Sequence, residues 1–248
     1  MKECEIYSNL KVPCGSKIVI RADGRNFSKL SNDLKLERPY DTNFANLMVG
    51  ICNDFFIEFS PEFIFTFSDE INILLSDIPF NGRVEKLDSV FASFISGSFT
   101  KNLFKNFKDN SLYETLKPIS FDSRIIPLSD RGVFEYFKTQ QNEAWRNCLN
   151  GYSYWKLRKE FNKSHTMEIL NKKNSSALHE ILFKRGVNIS ELPPWQRRGI
   201  GIYKKEVSVN GYNPMKNKKV ISKRLKIHID WNLPLFSKEF FNKNSLNI

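Results

Sequence analysis

The sequence predicts an α+β fold with a mixed, basic C-terminal extension, and three observations carry that expectation. Strand-like and helix-like patterns follow one another as β-α-β-β-α-β through the first half, the split-βαβ, ferredoxin-like order. The length of 248 residues suits one large domain or two small ones. Charge also changes sign near the middle. Residues 1–145 hold 17 Lys+Arg against 20 Asp+Glu, a net of −3, whereas residues 146–248 hold 21 against 7, a net of +14. The expected division is a ferredoxin-type core over 1–145 and a basic helical and strand extension over 146–248, packed on the core.

The elements follow in order. "KIVIRADG" (Lys17–Gly24) alternates and is β-branched, so it reads as a strand ending at Asp23 and Gly24. Asp41 is placed to cap the next helix, whose apolar residues Phe44, Leu47, Met48, Ile51 and Phe55 recur at helical spacing. "EFIFTF" is a second strand and "INILL" a third. Ser68, Asp69 and Glu70 lie between them. After Gly82, Val84, Leu87, Phe91, Phe94 and Ile95 again follow helical spacing. Both helices are expected on one face of the sheet. A Lys/Asn-rich connection with a short helix is expected over 101–120. "FDSRIIPL" (Phe121–Leu128) reads as a fourth strand, ended by Pro127. Helical periodicity returns from about Val133 to Lys159. "ELPPWQRRG" is a structured turn, and "GIYKKEVSVN" and "KKVISKRLKIHIDW" are two further strands. With 22 phenylalanines the core is expected to be rich in aromatic rings.

In the split-βαβ order the first and third strands lie side by side, antiparallel, in the centre. Strand one ends where strand three begins, so Asp23 and Asp69 converge from distant parts of the chain. Two carboxylates at such strand ends can hold two divalent ions, which in phosphoryl transfer sit roughly 4 Å apart. Mg²⁺ favours hard oxygen donors, and the Gly24 carbonyl can approach an ion closely because no side chain intervenes. Glu70 is expected to point away from Asp69 and to support the site. Arg25, Arg38, Arg83 and Lys86 are expected to border the same edge, where a triphosphate needs cations. The plainer reading is that these acids are ordinary strand-end and turn residues.

Other chemistry is poorly supplied. The four cysteines form no CxxC pair, and the three histidines all fall after residue 160, so a structural zinc site and histidine-led catalysis are not expected. "VPCGSK" lacks the spacing of a phosphate-binding P-loop. With no signal-peptide pattern and no apolar run of membrane-spanning length, a cytoplasmic setting without membrane contact is expected. The basic half points to a nucleic-acid partner.

An ordered series of stretches narrows this. "RADGRNFSKL", "ERPYD", "FSDEINILL", "GRVEKLDSVFASFISGSF", "FDSRI", "QNEAWRNCLNGYSYW" and "HEILFKRGVNISELPPWQRRGIGIYK" span about residues 1–205. In this order they resemble the tRNA(His) guanylyltransferase family, enzymes that extend tRNA at its 5′ end. The resemblance implies a polymerase-palm-like core working in the 3′-5′ direction, with tRNA, GTP and ATP as partners and two Mg²⁺ per active site. Carried over by motif, Asp23, the Gly24 carbonyl and Asp69 would hold the ions, with Glu70 completing the catalytic motif. Arg25, Arg38, Ser68, Arg83 and Lys86 would contact nucleotide, and Asp122 and Arg124 match a strand motif. Asn147, Lys172, Lys173, Arg197, Arg198, Lys204 and Lys205 would face tRNA. A homotetramer built as a dimer of dimers is implied as well. Where eukaryotic members carry His-Ile-Asn-Asn, this chain has Trp145, Arg146, Asn147 and Cys148. In this it leans towards archaeal-type and guanylyltransferase-like members, which resemble template-dependent 5′-end repair enzymes. Repair of several truncated tRNAs is therefore the alternative inside the family. A non-catalytic RNA-binding protein and a nucleotide cyclase are the alternatives outside it.

Overall fold

A computed structural model describes residues 4–107, 116–213, 215, 217–244 and 246. The strands β1 (Lys17–Gly24), β2 (Phe63–Phe67), β3 (Glu70–Leu74) and β4 (Phe121–Leu128) occur where the alternation predicts them. With β5 (Ile200–Asn213) and β6 (Lys218–Asp230) they form one antiparallel sheet in the order β4-β1-β3-β2-β5-β6. The first four strands thus take the expected ferredoxin-like order, with β1 and β3 adjacent. Local patterns do not specify that β5 extends the sheet, which it does by pairing Phe63 with Tyr203 through Thr66 with Ile200.

The helices are α1 (Phe27–Asp33), α2 (Thr42–Phe59), α3 (Val84–Asn106), α4 (Asp130–Leu157), α5 (Lys163–Leu170), α6 (Ser175–Phe183), α7 (Pro194–Arg198) and α8 (Lys238–Lys243). Asp41 caps α2, its Oδ1 accepting the Phe44 amide at 3.0 Å. Such a cap contributes about 1 kcal/mol. Ser129 caps α4 in the same way through the Gly132 amide. Helix α4 runs unbroken through residues 145 and 146, where the charge of the chain changes sign.

Register sorts the side chains into two layers. The rung Ile125–Ile20–Ile73–Ile64–Ile202 faces α2 and α3, whose Phe55, Phe91, Ile95 and Phe99 close over it. The next rung, Ile126–Val19–Leu74–Phe63–Tyr203, faces the other way, towards Val133 and Phe137 of α4 and Phe240 and Phe241 of α8. Each buried ring or branched aliphatic side chain stabilises this arrangement by roughly 1.5–3 kcal/mol. The sheet is therefore covered on both faces. The two early helices share one face, as expected, and α4 with the C-terminal segment covers the other.

Two sequence expectations need adjustment. Pro127 does not end the fourth strand, because it still pairs with Ile18 and the strand continues to Leu128. β4 is an edge strand, where a missing backbone donor is tolerated. Glu70 belongs to β3, so the hairpin turn is only Ser68 and Asp69, with Ser68 in the left-handed region at φ 52°. Of the segment 101–120, where a short helix is expected, residues 108–115 lie outside the described residues; α3 itself continues to Asn106.

Candidate active site

On the α4 face the sheet changes character towards the end of β1. Beyond the apolar rung at Val19 comes Arg124–Arg21–Asn72, and beyond that Asp122–Asp23–Glu70. A basic rung is thus followed by an acidic one. Arg124 pairs with Asp122 at 3.5 Å and Arg21 with Glu70 at 2.6 Å, so both flanking acids are neutralised by arginines of the neighbouring rung. Among the described residues, the central Asp23 makes no ion pair.

Asp69 reaches the same place from the hairpin turn. The Gly24 amide donates to the Asp69 carbonyl at 3.3 Å, and the Arg25 amide donates to the Ser120 carbonyl at 3.0 Å. The end of β1 is therefore held from both sides. Ser68 Oγ donates to Asp69 Oδ1 at 2.9 Å. Burial lifts the Asp69 carboxyl above the ordinary carboxylate range; the Ser68 hydrogen bond opposes this and the nearby Asp23 charge adds to it.

Two mutually repelling carboxylates and one backbone carbonyl are a donor set that a divalent cation satisfies. Mg²⁺ needs only one or two protein carboxylates, because water and substrate phosphates complete its shell. Asp23, Asp69 and the Gly24 carbonyl are an oxygen donor set of that sparse kind; among the described residues no group of three or more His, Cys, Asp or Glu side chains is placed to hold a metal.

Glu70 is differently employed. It is 6% exposed, and both its oxygens are taken: Oε2 by Arg21 and Oε1 by Asn72 Nδ2 at 2.9 Å. Asn72 in turn accepts from the Tyr136 hydroxyl of α4. Burial raises the Glu70 carboxyl against the opposing effect of Asn72 and Arg21. Sequence reading missed Arg21, Asn72 and Tyr136. The period of two that puts Arg21 on Asp23's face was the available signal.

Beside Ser68 a pocket of about 90 Å³ opens, walled by Arg38, Tyr40, Thr66, Trp195 and Ile200. Arg38 donates to Asn32 Oδ1 at 2.7 Å and lies over the Trp155 ring at 5.3 Å. Tyr40 packs against Tyr152 and Trp195, with ring centroids 6.0 and 5.9 Å away. The structure thus brings Arg38 and Ser68 to one pocket and places exposed Arg25 just beyond Gly24.

Arg83 and Lys86 lie elsewhere. Arg83 precedes α3, bridges Lys11 and pairs with Glu85 at 3.7 Å. From there α3 runs towards the site, since Asp88 meets Ser123 and, two turns later, Ser96 meets the Phe121 amide. Among the described residues, neither cation makes an ion pair with Asp23 or Asp69.

The basic residues of the second half divide similarly. Arg197 Nε donates to the Leu192 carbonyl at 2.9 Å and Arg198 Nη1 to the Leu233 carbonyl at 3.2 Å, so both guanidinium groups brace the chain internally. Lys172 and Lys173 are exposed after α5, and Asn147 is exposed on α4. Past Tyr203, β5 pairs only with β6, which makes a two-stranded ribbon. Lys205 sits directly opposite Lys226, while Lys204, on the other face, lies over the Phe56 ring at 6.0 Å. Trp145 packs against His179 and a small apolar cluster that includes Leu149, Leu178 and Leu182.

Comparison with known proteins decides the family. The family model described as tRNAHis guanylyltransferase matches residues 1–129. The chain belongs to the tRNA(His) guanylyltransferase family. Among curated relatives, tRNA(His) guanylyltransferase 1 of Arabidopsis thaliana is 28% identical over 214 residues, covering 84% of this chain and 37% of that protein. The chain therefore spans little more than a third of that relative's length. A probable tRNA(His) guanylyltransferase of Dictyostelium discoideum is 29% identical over 237 residues, covering 90% of this chain and 88% of that one. A solved structure of a bacterial tRNA(His) guanylyltransferase-like protein in complex with ATP shares the fold, with a TM-score of 0.76 at 21% identity. That match covers 100% of this chain and 97% of the other. Among the described residues, no helix is long and apolar enough to cross a membrane.

Proposed function

We propose that the chain is a nucleotidyltransferase that adds a guanosine nucleotide to the 5′ end of tRNA(His), in the 3′-5′ direction, after ATP activates the 5′-phosphate. One observation carries this reading: β1–β3 pairing sets Asp23 and the Gly24 carbonyl beside Asp69 at an open sheet end, in a chain of this family. Asp23, Asp69 and the Gly24 carbonyl are the groups that would hold two Mg²⁺. Bound there, the ions would supply electrostatic stabilisation of the charge that develops on non-bridging oxygens in each transfer.

The remaining residues bind and orient. Ser68 and Arg38, at the mouth of the aromatic pocket, would hold the nucleotide, and Arg25 would face its phosphates beyond Gly24. Arg83 and Lys86, which open α3, would contact the triphosphate or the activated 5′ end, in an assembly proposed as a dimer of dimers. Lys204, Lys205, Lys172, Lys173 and Asn147 would lie along tRNA, where phosphate contacts position the substrate without reading its sequence. The setting proposed is the cytoplasm.

A second reading within the family is templated 5′-end repair of several tRNAs. It is favoured by Trp145, Arg146 and Cys148, which replace three of the four eukaryotic residues; Trp145 is committed to packing and Cys148 is buried. The test is incubation with Mg²⁺, ATP and labelled GTP, using two 5′-monophosphorylated tRNAs. One is tRNA(His) without its extra guanosine; the other is a different tRNA lacking its first nucleotide opposite C. Addition to tRNA(His) alone supports maturation, and addition to both supports repair. No addition to either, with EDTA making no difference, overturns both in favour of RNA binding without catalysis.

A further inference from the structure

Glu70 stands directly across from Asp23 and one residue from Asp69, yet its carboxylate is not offered to the place where those two meet. Arg21 holds one oxygen from β1 and Asn72 holds the other from β3. Asn72 is fully buried at 0% exposure, so water cannot substitute for its partners. What orients its amide is Tyr136, whose hydroxyl donates to Oδ1 and thereby aims Nδ2 at Glu70. The tyrosine belongs to α4, across the core from both strands.

We propose that Tyr136, Asn72 and Arg21 form a clamp that withholds Glu70 from the ions, so that Tyr136 is a positioning residue limiting the site to two carboxylates. The inference rests on the reading of Asp23 and Asp69 as ion ligands. Its physical logic is that Mg²⁺ is bound sparsely and completes its shell with water and phosphate oxygens. A third carboxylate would displace those ligands and hold a cation tightly before any nucleotide arrived. Removing the Tyr136 hydroxyl leaves buried Oδ1 of Asn72 without a donor. Nothing then fixes the plane of the amide, the Asn72–Glu70 hydrogen bond is weakened, and the carboxylate, left with Arg21 as its firm partner, is freer to swing towards Asp23.

The experiment titrates Mn²⁺ into the nucleotide-free protein and reads free Mn²⁺ by electron paramagnetic resonance. Wild type, Tyr136→Phe, the double variant Tyr136→Phe/Glu70→Gln, and Asp23→Ala are compared. Tyr136→Phe is expected to bind Mn²⁺ about tenfold more tightly, a change equal in size and opposite in sign to the smaller losses seen when an outer partner of a metal ligand is removed. Adding Glu70→Gln returns affinity to the wild-type level, which a merely structural role for Tyr136 would not produce. Unchanged or weaker binding by Tyr136→Phe, or tightening that survives Glu70→Gln, overturns the clamp while leaving the ion site intact. Wild-type affinity in Asp23→Ala instead overturns the ion site, and the clamp with it.

Discussion

A β-carbon on Gly24 would stand 2.3 Å from the ring of Phe27. That ring is itself fixed, meeting Phe99 and Phe121 edge-on at 5.1 and 5.0 Å. Packing therefore requires glycine at position 24, the position whose carbonyl is proposed to approach an ion. Gly24→Ala is expected to destabilise the chain by about 1–3 kcal/mol, the usual range for overpacking, and to reduce transfer. Gly24→Ala/Phe27→Leu should recover much of the stability without full recovery of activity. Urea unfolding alongside a transfer assay checks this; a stable, fully active Gly24→Ala would count against it.

Asp69 offers a cleaner separation of stability from function. Its carboxyl is strained by burial and by the nearby Asp23 charge, and Ser68 Oγ can donate equally to an amide oxygen. Asp69→Asn should therefore melt no lower than wild type. Transfer should fall by at least about 100-fold, the scale of removing a principal electrostatic group. Asp23→Ala and Asp69→Ala should likewise remain folded and lose transfer, and EDTA should abolish it in the wild type. A folded Asp23→Ala that still transfers nucleotide would remove Asp23 from the site.

Part of this architecture is legible in the sequence. Strand β1 is readable to the residue because Ile18, Ile20 and Ala22 alternate with residues of the other face, and Asp41 is readable as a cap because it precedes a helical apolar pattern. The split-βαβ order then implies that Asp23 and Asp69 meet. The clamp is not legible. It joins Arg21 to Glu70 across 49 residues and Asn72 to Tyr136 across 64, and no local period links such positions. The placement of Arg83 does not follow from the sequence for a related reason. Helical spacing locates α3 but does not say which of its residues meet β4.

A charge reversal on the ribbon is expected to move tRNA binding and stability in opposite directions. Lys205 and Lys226 are directly opposed across β5 and β6, a like-charge pairing that destabilises the ribbon unless an anion lies over it. Lys226→Glu should relieve the repulsion and leave melting temperature unchanged or higher. The same change should weaken tRNA binding and make the dependence of log K on log salt shallower by about 1 to 2, since one or two phosphate contacts are lost. Filter binding at several salt concentrations measures the slope. An unaltered slope would take this face of the ribbon out of the tRNA path.

Asp54 links α2 to α3, away from the site. Its Oδ2 accepts Ser98 Oγ at 2.5 Å, Asn102 Nδ2 at 2.8 Å and Lys101 Nζ at 2.7 Å. Burial alone would raise its carboxyl, but the hydrogen bonds from Lys101, Ser98 and Asn102 outweigh it and hold the group below its ordinary value. In the unfolded chain an aspartate titrates near about 3.9. Because the folded value is the lower one, the stabilisation is fully present above about pH 4 and is lost as pH falls through the folded value. Asp54→Ala should cost about 1.5–3 kcal/mol at neutral pH, the range for hydrogen bonds to a charged group. The gap between the two proteins should narrow as pH falls below about 4, by the part of the cost that depends on the charge. Urea midpoints for both, followed from pH 7 downward, give the answer. A gap that stays constant through that descent would mean that Asp54 acts by packing alone and not through its charge.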